Sequence, residues 1–118
     1  MKINNKEKVV KVREFLKCFC EIGRSQQNEF LKDCSNVIIL CISEACFNLL
    51  NNKHLKNKQH VVNKTRKIKR QMKWLSDPAQ PFSKKRALLL KPEFGDILFS
   101  VIGDVLVPFL HKLLKNEK

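Results

Sequence analysis

The residues with the clearest chemical potential are lysines and arginines in the middle third of the chain. Between Lys53 and Lys91 there are 13 Lys and Arg residues and a single acid, Asp77, in a chain whose formal net charge is +13. The rest of the chain is nearly balanced in charge. A block of one sign attracts a polyanion or an anionic membrane surface, whereas a surface that only confers solubility mixes both signs. The charge distribution therefore predicts a protein that binds polyanions.

Two clusters of these cations are expected to contact phosphate. At 100° per residue, Arg66, Lys69, Arg70 and Lys73 project away from an apolar stripe that includes Ile68. Zinc-finger spacing, an RNA-recognition motif and a basic leucine zipper are absent, so we expect contacts to the backbone without base reading. The same clusters could also act as a nuclear localisation signal. The predicted nucleic-acid-binding residues are Lys64, Arg66, Lys67, Lys69, Arg70, Lys73, Lys84, Lys85 and Arg86.

The other reactive side chains lack the spacing of a catalytic or metal site. The five cysteines include no CxxC, and Cys18 and Cys20 would point about 200° apart on a helix. Free cysteine is a common small core residue, so reduced thiols in an intracellular compartment are expected. Paired carboxylates near a histidine, a nucleophile elbow and a Walker motif are all missing. We therefore predict that the protein is not an enzyme and has no metal and no cofactor.

The single tryptophan, Trp74, lies at the edge of the predicted basic face. It could stack on a base or anchor in a membrane interface. Packing against a neighbouring helix is the favoured interpretation, because a large ring at helical spacing usually contributes to the core.

The elements that position these residues are predicted to be helices in one all-α domain, a small bundle of five or six helices. Residues 8–52 form apolar helices, the third of which is apolar on most faces and is expected to be the central buried element. Residues 53–91 form a basic region with a loop at 53–59 and then a helix over about 61–76, and residues 93–115 form an amphipathic C-terminal helix. Gly23 ends the first helix, and Ser25 and Ser35 are expected to cap the next two. Pro108 is expected to kink the last helix.

The last helix has two interpretations. Its apolar face could close the core or form an oligomer interface, which is favoured, or it could be membrane-active. The sequence contains no uninterrupted apolar run of about 20 residues and no signal-peptide pattern, so we expect no ordinary membrane span and no secretion. The residues predicted for a membrane or oligomer face are Phe94, Leu98, Ile102, Leu106, Phe109 and Leu113.

Three segments together resemble a known family. They are Phe30-Leu31-Lys32-Asp33-Cys34, the central run from Cys41 to Asn51, and Ser83-Lys84-Lys85-Arg86-Ala87-Leu88-Leu89. With the basic helix and the hydrophobic tail, they resemble the small basic proteins of Maverick/Polinton elements and adintovirus-like genomes. That family is similar in layout to adenovirus minor virion and core proteins.

The resemblance implies a viral or mobile-element protein of the virion core that condenses DNA in the virion or the host nucleus. Capsid proteins or a second copy of the chain would be further partners. The alternative it implies is a minor virion protein whose C-terminal helix disrupts membranes or bridges to the capsid.

Overall fold

The computed structural model describes residues 5–51 and 58–115. Their six helical segments and lack of strands confirm the predicted all-α single domain. The first three helices are α1 (Asn5–Glu21), α2 (Arg24–Asp33) and α3 (Asn36–Asn51). The fourth segment comprises α4 (Lys58–Thr65), a 3₁₀ turn (Arg66–Ile68) and α5 (Lys69–Leu75). The last two are α6 (Phe82–Leu89) and a segment comprising α7 (Pro92–Val101), a π turn (Ile102–Leu106) and α8 (Val107–Lys115).

The start of α2 differs from the prediction. Gly23, not Ser25, is the N-cap residue, and its backbone N–H donates to the side-chain oxygen of Gln26. The side chain of buried Gln27 reaches back and donates to the carbonyl of Phe19 at 2.8 Å. These bonds hold the turn between α1 and α2, because they satisfy polar groups that both helix ends would otherwise leave without partners.

The helix α3, predicted from its apolar pattern to be the central buried element, is buried only in part, since its Val37, Leu40 and Phe47 are exposed. Ile39, Ile42, Cys46 and Leu49 are fully buried, and they share the core with residues from all six segments. The basic segment contributes its predicted apolar stripe. The stripe consists of Val61, Ile68, Met72 and Leu75.

The predicted single basic helix over 61–76 is interrupted in the structure. It begins at Lys58, and the 3₁₀ turn separates α4 from α5. At the end of α4 the buried Thr65 hydroxyl donates to the carbonyl of Val61 at 2.6 Å. A threonine that bonds to the preceding turn often bends a helix. The predicted loop at 53–59 lies largely outside the described residues.

The last segment is distorted one turn before Pro108. The Val107 N–H donates to the carbonyl of Ile102, a bond that spans five residues and closes the π turn. Proline has no N–H and clashes with the preceding turn, so an irregular turn at this place accommodates it within a continuous helical segment. Inside the π turn, Gly103 lets α1 approach closely, since a Cβ there would lie 3.3 Å from Cys20 Cβ.

Most of the residues predicted for a membrane or oligomer face lie in the core. Phe94, Leu98, Ile102 and Leu106 are at most 2 % exposed, and Phe109 is half-buried against the core. As an exposed face the prediction is therefore wrong for those four residues, because α1 and α3 pack on the π turn that follows α7. The side chain of Leu113 lies outside the described residues.

One helix, Pro92–Lys112, is nevertheless long and apolar enough to cross a membrane, with a mean hydropathy of 1.6. This finding does not test the expectation of no ordinary membrane span, which stays a prediction. Length and composition alone do not separate a spanning helix from a core helix, and 44% of this window is buried in the domain.

Two arginines join α2 to α6 reciprocally. Arg24 donates to the carbonyls of Leu89 at 3.0 Å and Lys91 at 3.2 Å, just where α6 ends. Arg86 of α6 donates to the carbonyl of Leu31 near the end of α2. Each guanidinium thus neutralises the partial negative charge at the partner helix's C-terminus. Gly95 makes room for Arg24, since a Cβ there would lie 2.0 Å from its Nη2 atom.

The five cysteines form no disulfide bonds within the described residues, and their different burial predicts very different reactivity. Burial raises the pKa of Cys20 to about 12, with smaller contributions from Asp104 and Glu21, and burial raises the pKa of Cys46 to about 12. A thiol with that pKa is ionised on the order of 10⁻⁴ at pH 8, and the thiolate is the nucleophile. Cys18 is exposed.

Iodoacetamide at pH 8 should therefore alkylate Cys18 first and leave Cys20 and Cys46 unmodified over the same period. Peptide mass spectrometry of the reduced protein would give the rate at each thiol. In urea the alkylation rates of all five thiols should converge, because unfolding exposes each of them. This measurement is the control for accessibility. Equal rates in native buffer would contradict the described packing of α1 and α3.

Candidate nucleic-acid interface

The 3₁₀ turn and α5 present a continuous basic surface. They line an open depression of about 690 Å³ whose walls are Arg66, Lys67, Lys69, Arg70, Gln71 and Lys73. All five cations of this group are exposed, because the apolar stripe of the same segment is turned into the core. We call this surface the basic depression. It brings together five of the nine predicted phosphate-binding residues.

Among the described residues, no acidic side chain lines the basic depression. Asp77, the only acid between Lys53 and Lys91, is instead engaged in the turn after α5. Its carboxylate accepts bonds from the Ala79 N–H at 2.9 Å and the Gln80 side chain at 3.3 Å. Within the depression, Arg66 donates to the Asn63 side chain at 3.4 Å. The surface therefore carries concentrated positive charge that suits phosphate oxygens.

Lys64 and Lys84 are also exposed, outside the lining of the depression. Lys64 stands in the last turn of α4, and Lys84 stands near the start of α6. Seven of the nine predicted residues are therefore accessible to a polyanion.

The prediction for Lys85 is wrong. Its side chain is 2 % exposed, and its ammonium lies 5.9 Å from the centre of the Phe82 ring. It lines a separate groove beside Leu40 and Phe47 of α3. Burial lowers the pKa of Lys85, and Asp77 partly offsets that shift. A residue in this position packs between α6 and α3 and is not available to a phosphate backbone.

Arg86 has a structural role that the sequence did not reveal. Besides the carbonyl of Leu31, its guanidinium contacts Cys34 Sγ at 3.3 Å and Asn36 Oδ1 at 3.4 Å. These partners lie at the junction of α2 and α3. A guanidinium already bonded in this way has few donors left for phosphate, so we remove Arg86 from the predicted interface.

A second, smaller cleft adjoins the basic depression. It has a volume of about 280 Å³ and lies between α5 and α6, and Gln71 lines both cavities. Trp74 is half-buried and packs against the core, which confirms the favoured interpretation, and the same residue lines this cleft. The other lining residues are Lys84, Ala87, Leu88 and Lys91. We call it the Trp74 cleft.

Gln71 and Lys91 were not among the predicted site residues. Lys91 was part of the basic block, but no helical periodicity connected it to Trp74, since the two belong to different elements. The juxtaposition depends on how α6 packs beside α5.

Comparisons of the chain with protein-family models, characterised proteins and solved structures produced no match. The resemblance to Maverick/Polinton and adintovirus proteins therefore stays a prediction. Within residues 5–51 and 58–115, no three His, Cys, Asp or Glu side chains come together in a way that could hold a metal ion.

Proposed function

We propose that the protein binds DNA without sequence specificity through its exposed cations, as a non-enzymatic packaging or core protein of a virion or mobile element. The observation that carries the proposal is the basic depression, in which five exposed cations stand together and no acid of the described ranges lies beside them. The viral context rests on the sequence resemblance alone.

The geometry favours contact with the sugar-phosphate backbone. The depression is open, and its cations end flexible side chains on a short helix and a 3₁₀ turn. Contacts of this kind position a protein on nucleic acid without reading sequence. The net charge of +13 adds long-range attraction to any polyanion.

The alternative from the sequence was a C-terminal helix that disrupts membranes or bridges to capsid proteins. It would require Phe94, Leu98, Ile102 and Leu106 to leave the core, where they are at most 2 % exposed. Binding through the exposed cations requires no rearrangement of the core, so we favour DNA binding.

A salt series tests the proposal. If all seven exposed cations of the predicted set contact phosphate, the logarithm of the binding constant should fall linearly with the logarithm of salt concentration, with a slope of about −6. Fluorescence anisotropy with labelled duplexes of contrasting base composition should give the same slope for each. Binding that does not change between 50 and 200 mM salt, or that is tight to liposomes and weak to DNA, would contradict the proposal.

A further inference from the structure

We propose that the Trp74 cleft receives an unpaired base, so that the protein prefers single-stranded to duplex nucleic acid. This inference rests on the proposed function and names the form of nucleic acid that the site takes. It starts from the position of the cleft, which shares Gln71 with the basic depression. A strand whose phosphates follow the depression would bring its next base to Trp74.

The lining of the cleft suits a base. Trp74 supplies a flat aromatic ring, and Ala87 and Leu88 supply apolar surface. An indole face stacks on any base, because every base has a π face, and this makes the contact tolerant of sequence. The cleft has a volume of about 280 Å³, which is ample for one base.

Cations flank the cleft where the adjoining phosphates would lie. Lys84 and Lys91 are both exposed and both line it. An aromatic platform next to a positively charged track is the arrangement by which proteins bind single strands without sequence preference. In a duplex the bases are stacked on each other and cannot reach the indole without unpairing.

The single tryptophan makes the inference directly measurable, since all indole fluorescence reports on this cleft. Adding a 15-nucleotide oligothymidylate to the full chain should quench the emission, whereas a 15-base-pair duplex should bind with little quenching. Oligothymidylate has little internal stacking, so its bases are free to enter the cleft. This measurement needs no substitution and so does not depend on a variant folding.

A set of variants then separates stacking from packing. Trp74→Leu should weaken oligothymidylate binding about 5- to 150-fold, the range for loss of a stacked base, and should change duplex binding much less. Trp74→Phe, which keeps an aromatic ring, should retain most of the affinity. Phe47→Leu is the matched control, because Phe47 is an exposed aromatic residue on α3, outside the lining of the cleft. Circular dichroism melting should show that each variant is folded.

Different failures point to different conclusions. Tight, salt-sensitive binding of both nucleic acids without quenching, or an equal loss for both in Trp74→Leu, would overturn the inference and leave the proposed function in place. If neither nucleic acid binds, both this inference and the proposed function are wrong. Quenching by vesicles of anionic phosphatidylglycerol but not by oligothymidylate would assign the cleft to a membrane surface and would also overturn the inference.

Discussion

Replacing Lys69 and Lys73 by glutamate should weaken DNA binding by about 10²-fold at 50 mM salt and reduce the salt slope by about 2. Both residues are exposed in α5 and line the basic depression. Each phosphate contact releases counterions from the DNA, which raises the binding constant by roughly tenfold at this salt concentration. Each new carboxylate also repels the phosphates. Adding Arg66→Glu and Arg70→Glu should reduce the slope by about 4 in total.

The matched control is the pair Lys11→Glu and Lys17→Glu. Both lysines are exposed on α1, and the pair changes the net charge by the same amount without touching the depression. It should lower affinity only through the weaker long-range field. If the two pairs have equal effects, DNA responds to the overall charge and the depression is not the interface. Loss that depends on duplex sequence would argue against pure backbone contact.

Replacing Leu106 by aspartate should destabilise the protein by about 5 kcal/mol or more. Leu106 is 2 % exposed in the π turn, next to α1 and α3. The substitution removes apolar packing and buries a carboxylate that has no partner, and each change costs several kcal/mol. A small domain has about 5–15 kcal/mol of unfolding free energy, so the variant should melt about 15–25 °C lower or fail to fold.

Val37→Asp is the control, because it also replaces an aliphatic side chain by a carboxylate within a helix. Val37 is 71 % exposed in the first turn of α3, where a carboxylate also suits the helix dipole. The melting temperature of the Val37→Asp variant, measured by circular dichroism, should stay within a few degrees of that of the unsubstituted protein. If Leu106→Asp melts like Val37→Asp yet loses liposome disruption or self-association, the last segment is a functional tail and the membrane or capsid alternative is right.

The sequence by itself was sufficient to predict the all-α architecture. Stretches with apolar residues three and four positions apart can bury them only as helices, and the core residues of α1, α3 and α5 follow that pattern. The exposed positions Arg66, Lys69, Arg70 and Lys73 were predicted by the same geometry, because they lie opposite the buried Ile68 and Met72. Helical periodicity decides the orientation of a side chain within one element.

The packing of the helices on one another determined which side chains are exposed in places where helical periodicity does not predict it. Lys84, Lys85 and Arg86 are consecutive and alike in charge, so their composition does not say which of them faces inward. Packing α6 on α2 and α3 left Lys84 exposed, buried Lys85, and directed Arg86 to a carbonyl of α2. The Trp74 cleft likewise exists because α6 lies beside α5 and brings Lys91 near an indole 17 positions earlier in the chain. Such contacts depend on the relative placement of whole helices, which the local pattern of either helix does not contain.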